Sequence, residues 1–335
     1  MNLDALKNAP RFLMEVGLKP VQGQRFQPTG FPNLGAAVYV LTDGRQMLLL
    51  ESAQSMANHL EKSCWDENAE RPIGELDGMP YVESTLPDGQ KTNSLLEAHR
   101  VNSPYIVNSK KFAEIETEIG FKKSQPFDRQ KLVKALFKYD PNSLIHGVFL
   151  EKVGGVVRLP RALSAFIEAS NVTVAASGGA KIDRVQPGTK EGDQATFYGK
   201  AADGYGNVPF PRDEYTGDIK AYFNIDLALI DGFQLPSKAK EFLITLALLK
   251  IQRFLYRGLR LRTACDLEVT QVTVTHPHEW PLPSREELEA SIQDLIANEA
   301  LPFVTPFKTE VLYDAKVAKA KEKQKENERK VPEDN

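Results

Sequence analysis

One pattern near each end of the chain constrains its fold more than any other feature: a β-strand that leads directly into a helix. In the first unit, two β-rich runs, residues 36–41 and 46–50, flank Asp43-Gly44, a dipeptide that favours a tight hairpin turn because glycine accepts positive φ. The second run leads into residues 53–60, where apolar side chains recur at helical spacing behind Ser52, a favourable N-cap. This unit predicts a hairpin followed by a helix.

The second unit begins with residues 219–230, in which every other side chain is apolar, as in a strand with one buried face. Ser237 is placed to cap a helix that continues to Gly258, a residue that suits a helix end because it tolerates the left-handed conformation. Residues 259–269 alternate again and predict a further strand. Two such units are compatible with a split β-α-β plan in which helices cover one face of a sheet.

The region between the units, about residues 61–217, is too long for a loop and is expected to contain inserted structure. Residues 177–216 are rich in Gly, Pro, Lys and Asp, so we expect an extended hairpin or arm that projects from the core. Beyond Asp314, Lys and Glu dominate, which favours a solvated or frayed helix over a binding arm.

Composition excludes several classes of protein. The chain has 335 residues, of which 41% are apolar and 26% charged, values typical of globular proteins. It shows no signal-peptide pattern and no apolar run of about 18 residues, so we expect a cytoplasmic protein without a membrane partner. Its two cysteines, Cys64 and Cys265, lack the spacing of metal ligands and are expected to be buried hydrophobic residues.

Motifs for catalysis and for cofactors are incomplete. SGGAK lacks the remainder of a P-loop, and GYGNVPF breaks the dinucleotide-binding fingerprint. His276 and His278 are close in sequence, but Pro277 between them prevents a regular helical ligand pair. No serine lies in a nucleophile-elbow motif. We therefore expect no catalytic residue, no metal site and no cofactor.

Cations concentrate in one stretch, although the formal net charge of the chain is -3. They are Lys250, Arg253, Arg257, Arg260 and Arg262. The first three lie at helical spacing, and the last two lie at strand spacing. One interpretation is that they complement the helix dipole and that Arg262 pairs with Asp266 or Glu268. The other is a phosphate-binding groove, because the planar guanidinium donates several hydrogen bonds to phosphate oxygens.

The beginning of the first helix, in the sequence ESAQSMANH, is a second candidate anion site. The first-turn amides of a helix have no partner within the helix, and Gln54, Ser55 and Asn58 are predicted to lie beside them. Ser52 and Ser55 also fit the commoner role of capping residues.

Several long motifs together resemble a known family. They are RFQPTGFPNLGAAVY, LLLESAQSMANHLEKSCWD, SLLEAHRVNSPYI, GYGNVPFPRDEYT with AYFNIDLALI, and FLYRGLRLRTACDLEV, and the resemblance extends from about Leu3 to about Pro306. The set resembles the backbone subunit of the type I-G (formerly I-U) CRISPR Cascade complex, which belongs to the RAMP superfamily and corresponds to the seventh Cas family. The resemblance implies an α+β fold: an RNA-recognition or ferredoxin-like palm with inserted helical fingers and a thumb hairpin.

The resemblance also implies a division of the chain. The palm would comprise residues 1–60 and 218–312, with further strands within about 144–176. Residues 61–143 would form the fingers, residues 177–217 a thumb-like arm, and residues 313–335 a charged tail.

The function implied is that of a non-catalytic subunit whose copies polymerise as a helical oligomer along a CRISPR RNA in an antiviral surveillance complex. The protein would bind phosphates and leave base edges free to pair with target DNA. Its other partners would be further Cascade subunits and a helicase-nuclease that the complex recruits. The RNA-binding candidates are Arg25, Gln54, Ser55, Asn58, Arg158, Arg161, Lys181, Arg257, Arg260 and Arg262. Asn58 and His59 stand where many relatives carry lysine or arginine.

Two alternatives remain open. Some RAMP relatives cleave RNA, and Asp183 or Asp203 in the predicted arm could assist such a reaction. A small-molecule enzyme on a ferredoxin-like scaffold is the other alternative, and it would show ligand binding that is indifferent to salt.

Overall fold

The computed structural model describes residues 3–31, 35–120, 127–151, 157–181, 208–278, 280–297 and 301–320, and for residues 30–31, 176–181 and 208–212 it describes the backbone alone. The strands in this part of the chain are β1 Arg11–Pro20, β2 Gly30–Phe31, β3 Gly35–Ala36, β4 Val38–Val40, β5 Gln46–Glu51, β6 Trp65–Asp66, β7 Arg71–Pro72, β8 Tyr81–Thr85, β9 Lys91–Asn93, β10 Val148–Leu150, β11 Val157–Leu159, β12 Leu163–Lys181, β13 Val208–Asp226, β14 Arg260–Arg262, β15 Cys265–His276 and β16 Lys308–Leu312. The helices are α1 Asp4–Lys7, α2 Ala53–Lys62, α3 Pro104–Val107, α4 Phe112–Ile119, α5 Arg129–Tyr139, α6 Asn142–His146, α7 Leu227–Gly232, α8 Ser237–Arg257 and α9 Arg285–Ile296.

Seven antiparallel strands form the largest sheet, in the order β14-β15-β1-β13-β12-β5-β4. Inward side chains alternate along β1, where Phe12, Met14, Val16 and Leu18 are buried. Met14 lies opposite Phe223 of β13, which is also buried. One face of the sheet therefore forms part of the core, and the predicted mixture of helices and antiparallel strands is confirmed.

Helices α2 and α8 pack against the buried side of this sheet. The ring of Phe254 in α8 lies 6.3 Å from that of Phe223 and 6.0 Å from that of His59 in α2. Helix α8 ends at Gly258 as predicted, but the reason differs, because its φ of −101° is not left-handed. A Cβ at Gly258 would lie 2.5 Å from the Phe254 ring, so a close approach of the chain excludes a larger residue there.

The second predicted strand is shorter than its alternation suggests. β13 ends at Asp226, and residues 227–232 form α7 instead of continuing the strand. The Asp226 carboxylate accepts a hydrogen bond from the Leu229 amide at 2.8 Å and contacts Arg11 at 2.6 Å. A capping carboxylate therefore terminates the strand, although the apolar alternation continues to Leu229.

The predicted helical insertion, residues 61–143, contains strands as well as helices. β6 to β9 lie within it together with α3, α4 and α5. β8 pairs in parallel with β16, with Val82 opposite Thr309. A segment from near the C-terminus thus joins the inserted region.

The predicted arm begins as a long two-stranded ribbon. β12 and β13 pair from Leu163 opposite Ile225 to Lys181 opposite Val208, with an irregularity near Asn171. Asn171 has a φ of 54°, and its side-chain amide donates to Asp218 at 2.7 Å. Most of the predicted arm, residues 182–207, lies outside the described residues.

The two cysteines and the hydropathy of the helices were also subjects of prediction. Cys64 and Cys265 are both buried free thiols, as predicted, and burial raises the pKa of Cys265 to about 11. Among the described helices, none is both long enough and apolar enough to cross a membrane.

Candidate nucleic-acid interface

The junction between β5 and α2 forms as the sequence predicts. The Ser52 hydroxyl accepts a hydrogen bond from the Ser55 amide at 3.3 Å and caps the helix. Met56, Ala57 and Leu60 are buried, whereas Gln54 and Asn58 are exposed. The first turn contains no carboxylate, so the positive end of the helix dipole is not neutralised within the helix itself.

Arg161 completes the exposed side of this junction. Its guanidinium contacts the Gln54 side-chain oxygen, and the Gln54 amide lies 3.4 Å from the Asn58 oxygen. Burial lowers the pKa of Arg161, and the nearby charge of Arg100 lowers that pKa further. The structure therefore brings Arg161, which is distant in sequence, to two candidates on α2. Gln54, Asn58 and Arg161 are referred to below as the junction site.

A buried carboxylate lies directly behind the junction site. Glu51, which is almost fully buried, accepts hydrogen bonds from the Ser55 hydroxyl and from the Arg262 guanidinium. Arg262 also donates to the backbone oxygens of Gln27 at 2.9 Å and Leu50 at 3.2 Å. The structure thus gives Ser55 and Arg262 internal partners, and the expected pairing of Arg262 with Asp266 or Glu268 is replaced by a pairing with Glu51.

His59 lies beside the same carboxylate, with 3.9 Å between its Nε2 atom and the Glu51 oxygen. Burial lowers the pKa of His59, the charge of Glu51 opposes this effect, and the charges of Arg262 and Lys62 add to it. The imidazole is therefore expected to be neutral near pH 7, and the arginines supply the positive charge of this region.

The cations of α8 separate into two groups. Lys250 is fully buried and donates to Asn142 at 2.8 Å. Arg253 is buried as well, and it contacts Glu289 of α9 at 2.9 Å and the Ser63 carbonyl at 3.1 Å. Their spacing suggested a cationic helix face open to an anion. The structure instead buries these two cations, because neighbouring elements supply partners on that side.

Arg257 and Arg260 form the exposed remainder of the cationic stretch. Both are solvent-exposed, and within the described parts of the chain neither guanidinium lies within 4.0 Å of a carboxylate. Arg260 lies opposite Asp266 in the backbone register of β14 and β15. The positive charges of Arg257 and Arg260 are therefore available to an external anion.

The remaining candidates lie on neighbouring segments. Arg25 forms an ion pair with Glu214 at 3.0 Å and precedes Phe26, which bridges to Tyr215 at the base of the arm. The Arg158 guanidinium lies 4.4 Å from the centroid of the Phe149 ring. For Lys181 only the backbone is described, as the last residue of β12.

A buried polar network lies at the C-terminal end of α2. Glu61 pairs with Arg100 through two hydrogen bonds of 2.7 and 2.9 Å and accepts a third from Asn142 at 2.6 Å. Arg100 also donates to the carbonyl of Gly147 at 3.1 Å. Because Glu61 belongs to α2 and Gly147 precedes β10, this network links the helix of the junction site to the β10–β11 hairpin.

Metal binding and RNA cleavage would each require particular side chains. Within those ranges no group of three or more His, Cys, Asp or Glu side chains is arranged to hold a metal ion. Asp183 and Asp203, the predicted residues of the ribonuclease alternative, lie outside the described residues. The sequence did not indicate the role of Glu51, because an isolated glutamate at a strand end does not reveal its partners. It also did not indicate that the side chain of Phe149 would be exposed.

The amino-terminal part of the chain matches a family model. Residues 12–174 match the family described as CRISPR-associated protein GSU0053. The matched segment is slightly less than half of the chain, and it contains the junction site together with Arg25 and Arg158. Arg257, Arg260 and Arg262 lie outside it. No curated protein matches the chain.

Solved structures overlap the chain over most of its length. They include a CRISPR RNA-guided surveillance complex in a pre-nicking state, with 11% identity, 97% of this chain and 89% of that chain covered, and a TM-score of 0.41. The crystal structure of Thermofilum pendens Csc2 has 12% identity, coverage of 97% and 79%, and a TM-score of 0.31. A further CRISPR RNA-guided surveillance complex has 10% identity, coverage of 97% and 86%, and a TM-score of 0.36. Over residues 12–174, the chain is thus similar to a family of CRISPR-associated proteins.

Proposed function

We propose that this chain is a non-catalytic, RNA-binding backbone subunit of a type I-G Cascade complex, and that its copies polymerise along a CRISPR RNA. The observation that carries the proposal is the contact between Arg161 and Gln54 at the N-terminus of α2, inside the segment that matches a CRISPR-associated family. A cation and a side-chain amide meet there at the positive end of a helix dipole, which is a suitable combination for a phosphate group.

In this proposal the phosphates of the RNA follow a path from the junction site to the exposed arginines. Arg161, Gln54 and Asn58 bind one phosphate, and Arg257 and Arg260 neutralise others. Ser55 and Arg262 act on the same region through Glu51, whose position they fix. Arg25, Arg158 and Lys181 complete the RNA-binding set. Because phosphates carry no base identity, the guide bases remain available for target DNA.

The architecture of the proposed subunit follows the division of the chain given above. The seven-stranded sheet with α2 and α8 would be the palm, residues 61–143 the fingers, and the ribbon of β12 and β13 the base of the thumb. Repeated contacts between copies that do not close into a ring would produce an open helical filament. Other Cascade subunits and the helicase-nuclease would bind to that filament.

The RNA that accompanies the protein tests this function. We expect the protein, purified from its host with its neighbouring subunits, to carry RNA of uniform length, because a guide of defined length determines how many copies assemble. Absence of bound RNA, both from the subunit alone and from the assembly, would contradict the proposal. RNA that shortens on incubation, with cleavage abolished by substituting Asp183 or Asp203, would favour the ribonuclease alternative.

A further inference from the structure

The β10–β11 hairpin presents an aromatic ring where its alternation leads one to expect a polar side chain. Phe149 and Arg158 lie directly opposite each other in the register of the two strands. Their inward neighbours Val148, Leu150, Val157 and Leu159 are all buried. Phe149 is 37% exposed and Arg158 is exposed, so both side chains lie on the outer face. Phe149 thus places an aromatic ring on the outer face of the hairpin, beside Arg158.

The two outer side chains contact each other. The Arg158 guanidinium lies 4.4 Å from the centroid of the Phe149 ring, a distance typical of a cation–π contact. Within the described ranges, no carboxylate lies within 4.0 Å of the Arg158 guanidinium. The pair thus combines an apolar ring with a positive charge that no acid in the described part of the chain neutralises.

The base of the hairpin is connected to α2 at two points. Arg161 follows β11 by two residues and contacts Gln54. Gly147 immediately precedes β10, and its carbonyl accepts a hydrogen bond from Arg100, the partner of Glu61 in α2. The outer face of the hairpin is therefore fixed relative to α2 and lies within a few residues of the proposed phosphate contact.

We propose that Phe149 and Arg158 form a stacking platform for a nucleobase of the single-stranded RNA that binds at the junction site. This inference rests on the proposed function and adds to it a contact with a base instead of a phosphate. The ring would stack on the face of the base, as aromatic residues do in proteins that bind single strands, and the guanidinium would contact the adjacent phosphate. Stacking tolerates any base sequence, as the binding of variable guides requires.

A second arginine–aromatic pair in the chain provides a matched control. The Arg285 guanidinium lies 4.5 Å from the ring centroid of Tyr256, which is 68% exposed. Unlike Arg158, Arg285 also contacts carboxylates, Glu286 at 3.0 Å and Glu289 at 3.5 Å. Its charge is therefore compensated, and we expect this pair to bind RNA weakly or not at all.

The test compares two RNA strands of equal length, one with all its bases and one with abasic sites throughout, on the full-length protein. Phe149→Leu should weaken binding of the base-bearing strand about fivefold or more, the lower range for loss of one stacked base. The same variant should leave the affinity for the abasic strand unchanged, Phe149→Trp should retain the affinity for both, and Tyr256→Leu should alter neither.

The platform would be overturned if Phe149→Leu bound the base-bearing strand as tightly as the parent does. It would also be overturned if Phe149→Leu lost the same affinity for both strands, or if Tyr256→Leu weakened binding as much as Phe149→Leu does. If Phe149→Leu does not fold, a photo-induced cross-link from 5-iodouracil in the RNA to Phe149 of the parent protein decides the question, and its absence overturns the platform. If the parent binds neither strand, both alone and with its neighbouring subunits, the proposed function itself fails, and that result is distinct from the others.

Discussion

Arg262 contacts the buried carboxylate of Glu51, and the same guanidinium donates to the backbone oxygens of Gln27 and Leu50. One side chain therefore joins β14 to the end of β5 and to the segment that follows Arg25. An arginine that the sequence suggests as a phosphate ligand also holds the start of α2 in place.

Arg262→Ala should lower the free energy of unfolding by about 3 kcal/mol, because the substitution leaves the Glu51 carboxylate buried without its cation. The midpoint and slope of urea denaturation measure this effect. Arg260→Ala, on the same strand but exposed, is the control and should change stability by less than about 0.5 kcal/mol. Equal effects of the two substitutions would show that the Glu51 contact does not contribute to stability.

The ion pair between Glu61 and Arg100 should be similarly important. Both side chains are almost fully buried, so Glu61→Gln is expected to destabilise the protein by about 3–5 kcal/mol, since Arg100 would keep its charge without a carboxylate. Glu67→Gln, which removes the exposed partner of Lys62, should change stability by about 0–1 kcal/mol. A small effect at Glu61 would indicate that solvent reaches the network.

Asp140 should make stability depend on pH. Burial, assisted by the charge of Glu61, raises its pKa from 3.8 to about 7, while a hydrogen bond from Ser143 opposes the shift. The folded state therefore holds this proton more tightly than the unfolded state, so the stabilisation is fully present below pH 3.8 and is lost as the pH rises through about 7. His146 acts in the opposite direction, because burial lowers its pKa well below 6.5.

Substitution separates these two contributions. As the pH rises from about 5 to about 8, Asp140→Asn should become more stable relative to the parent by about 3 kcal/mol, because the amide cannot ionise whereas the Asp140 carboxyl must lose its proton in the unfolded state and then in the folded state. Urea titrations at several pH values measure the difference. A difference independent of pH would contradict the raised pKa of Asp140.

Gly147 should tolerate no side chain. Its φ is 76°, and a Cβ there would lie 2.7 Å from the carbonyl oxygen of Leu159 and 3.0 Å from the Arg161 amide nitrogen. Gly147→Ala should therefore destabilise the protein and displace Arg161 from Gln54. Gly89 has a φ of 86° but open space around it, so Gly89→Ala should cost only the backbone strain, about 1–2 kcal/mol. Gly147→Ala should cost about 1–3 kcal/mol more, as an overpacked site does, and equal costs would exclude the clash.

Local features of the fold were predictable from the sequence. Ser52 begins α2, Asp43-Gly44 connects β4 to β5, and the alternation along residues 219–225 matches the buried face of β13. Each of these depends on residues a few positions apart, which fix both the turn and the buried side. The length of β13 was not predictable from alternation alone, because Asp226 ends it by capping α7.

The candidate site was predictable in composition but not in its contacts. Spacing alone places Lys250 and Arg253 with Arg257, yet the structure buries the first two because α6 and α9 supply Asn142 and Glu289. The partner of Arg262 is Glu51, more than two hundred residues away in the chain. Such pairings depend on tertiary packing, and no periodicity within one segment reports them.

The salt dependence of single-stranded RNA binding tests the central claim most directly. A triple variant, Arg161→Gln with Arg257→Gln and Arg260→Gln, is compared with Arg45→Gln, which removes an exposed cation at the β4–β5 turn that is paired with Asp43 at 2.7 Å. The logarithm of the association constant should fall linearly with the logarithm of salt concentration, with a slope shallower by about 0.7 for each phosphate that the protein no longer neutralises, hence by about 2 in the triple variant. Arg45→Gln should retain the parental slope. Parallel slopes for the parent and the triple variant would contradict an RNA path across the junction site and the exposed arginines.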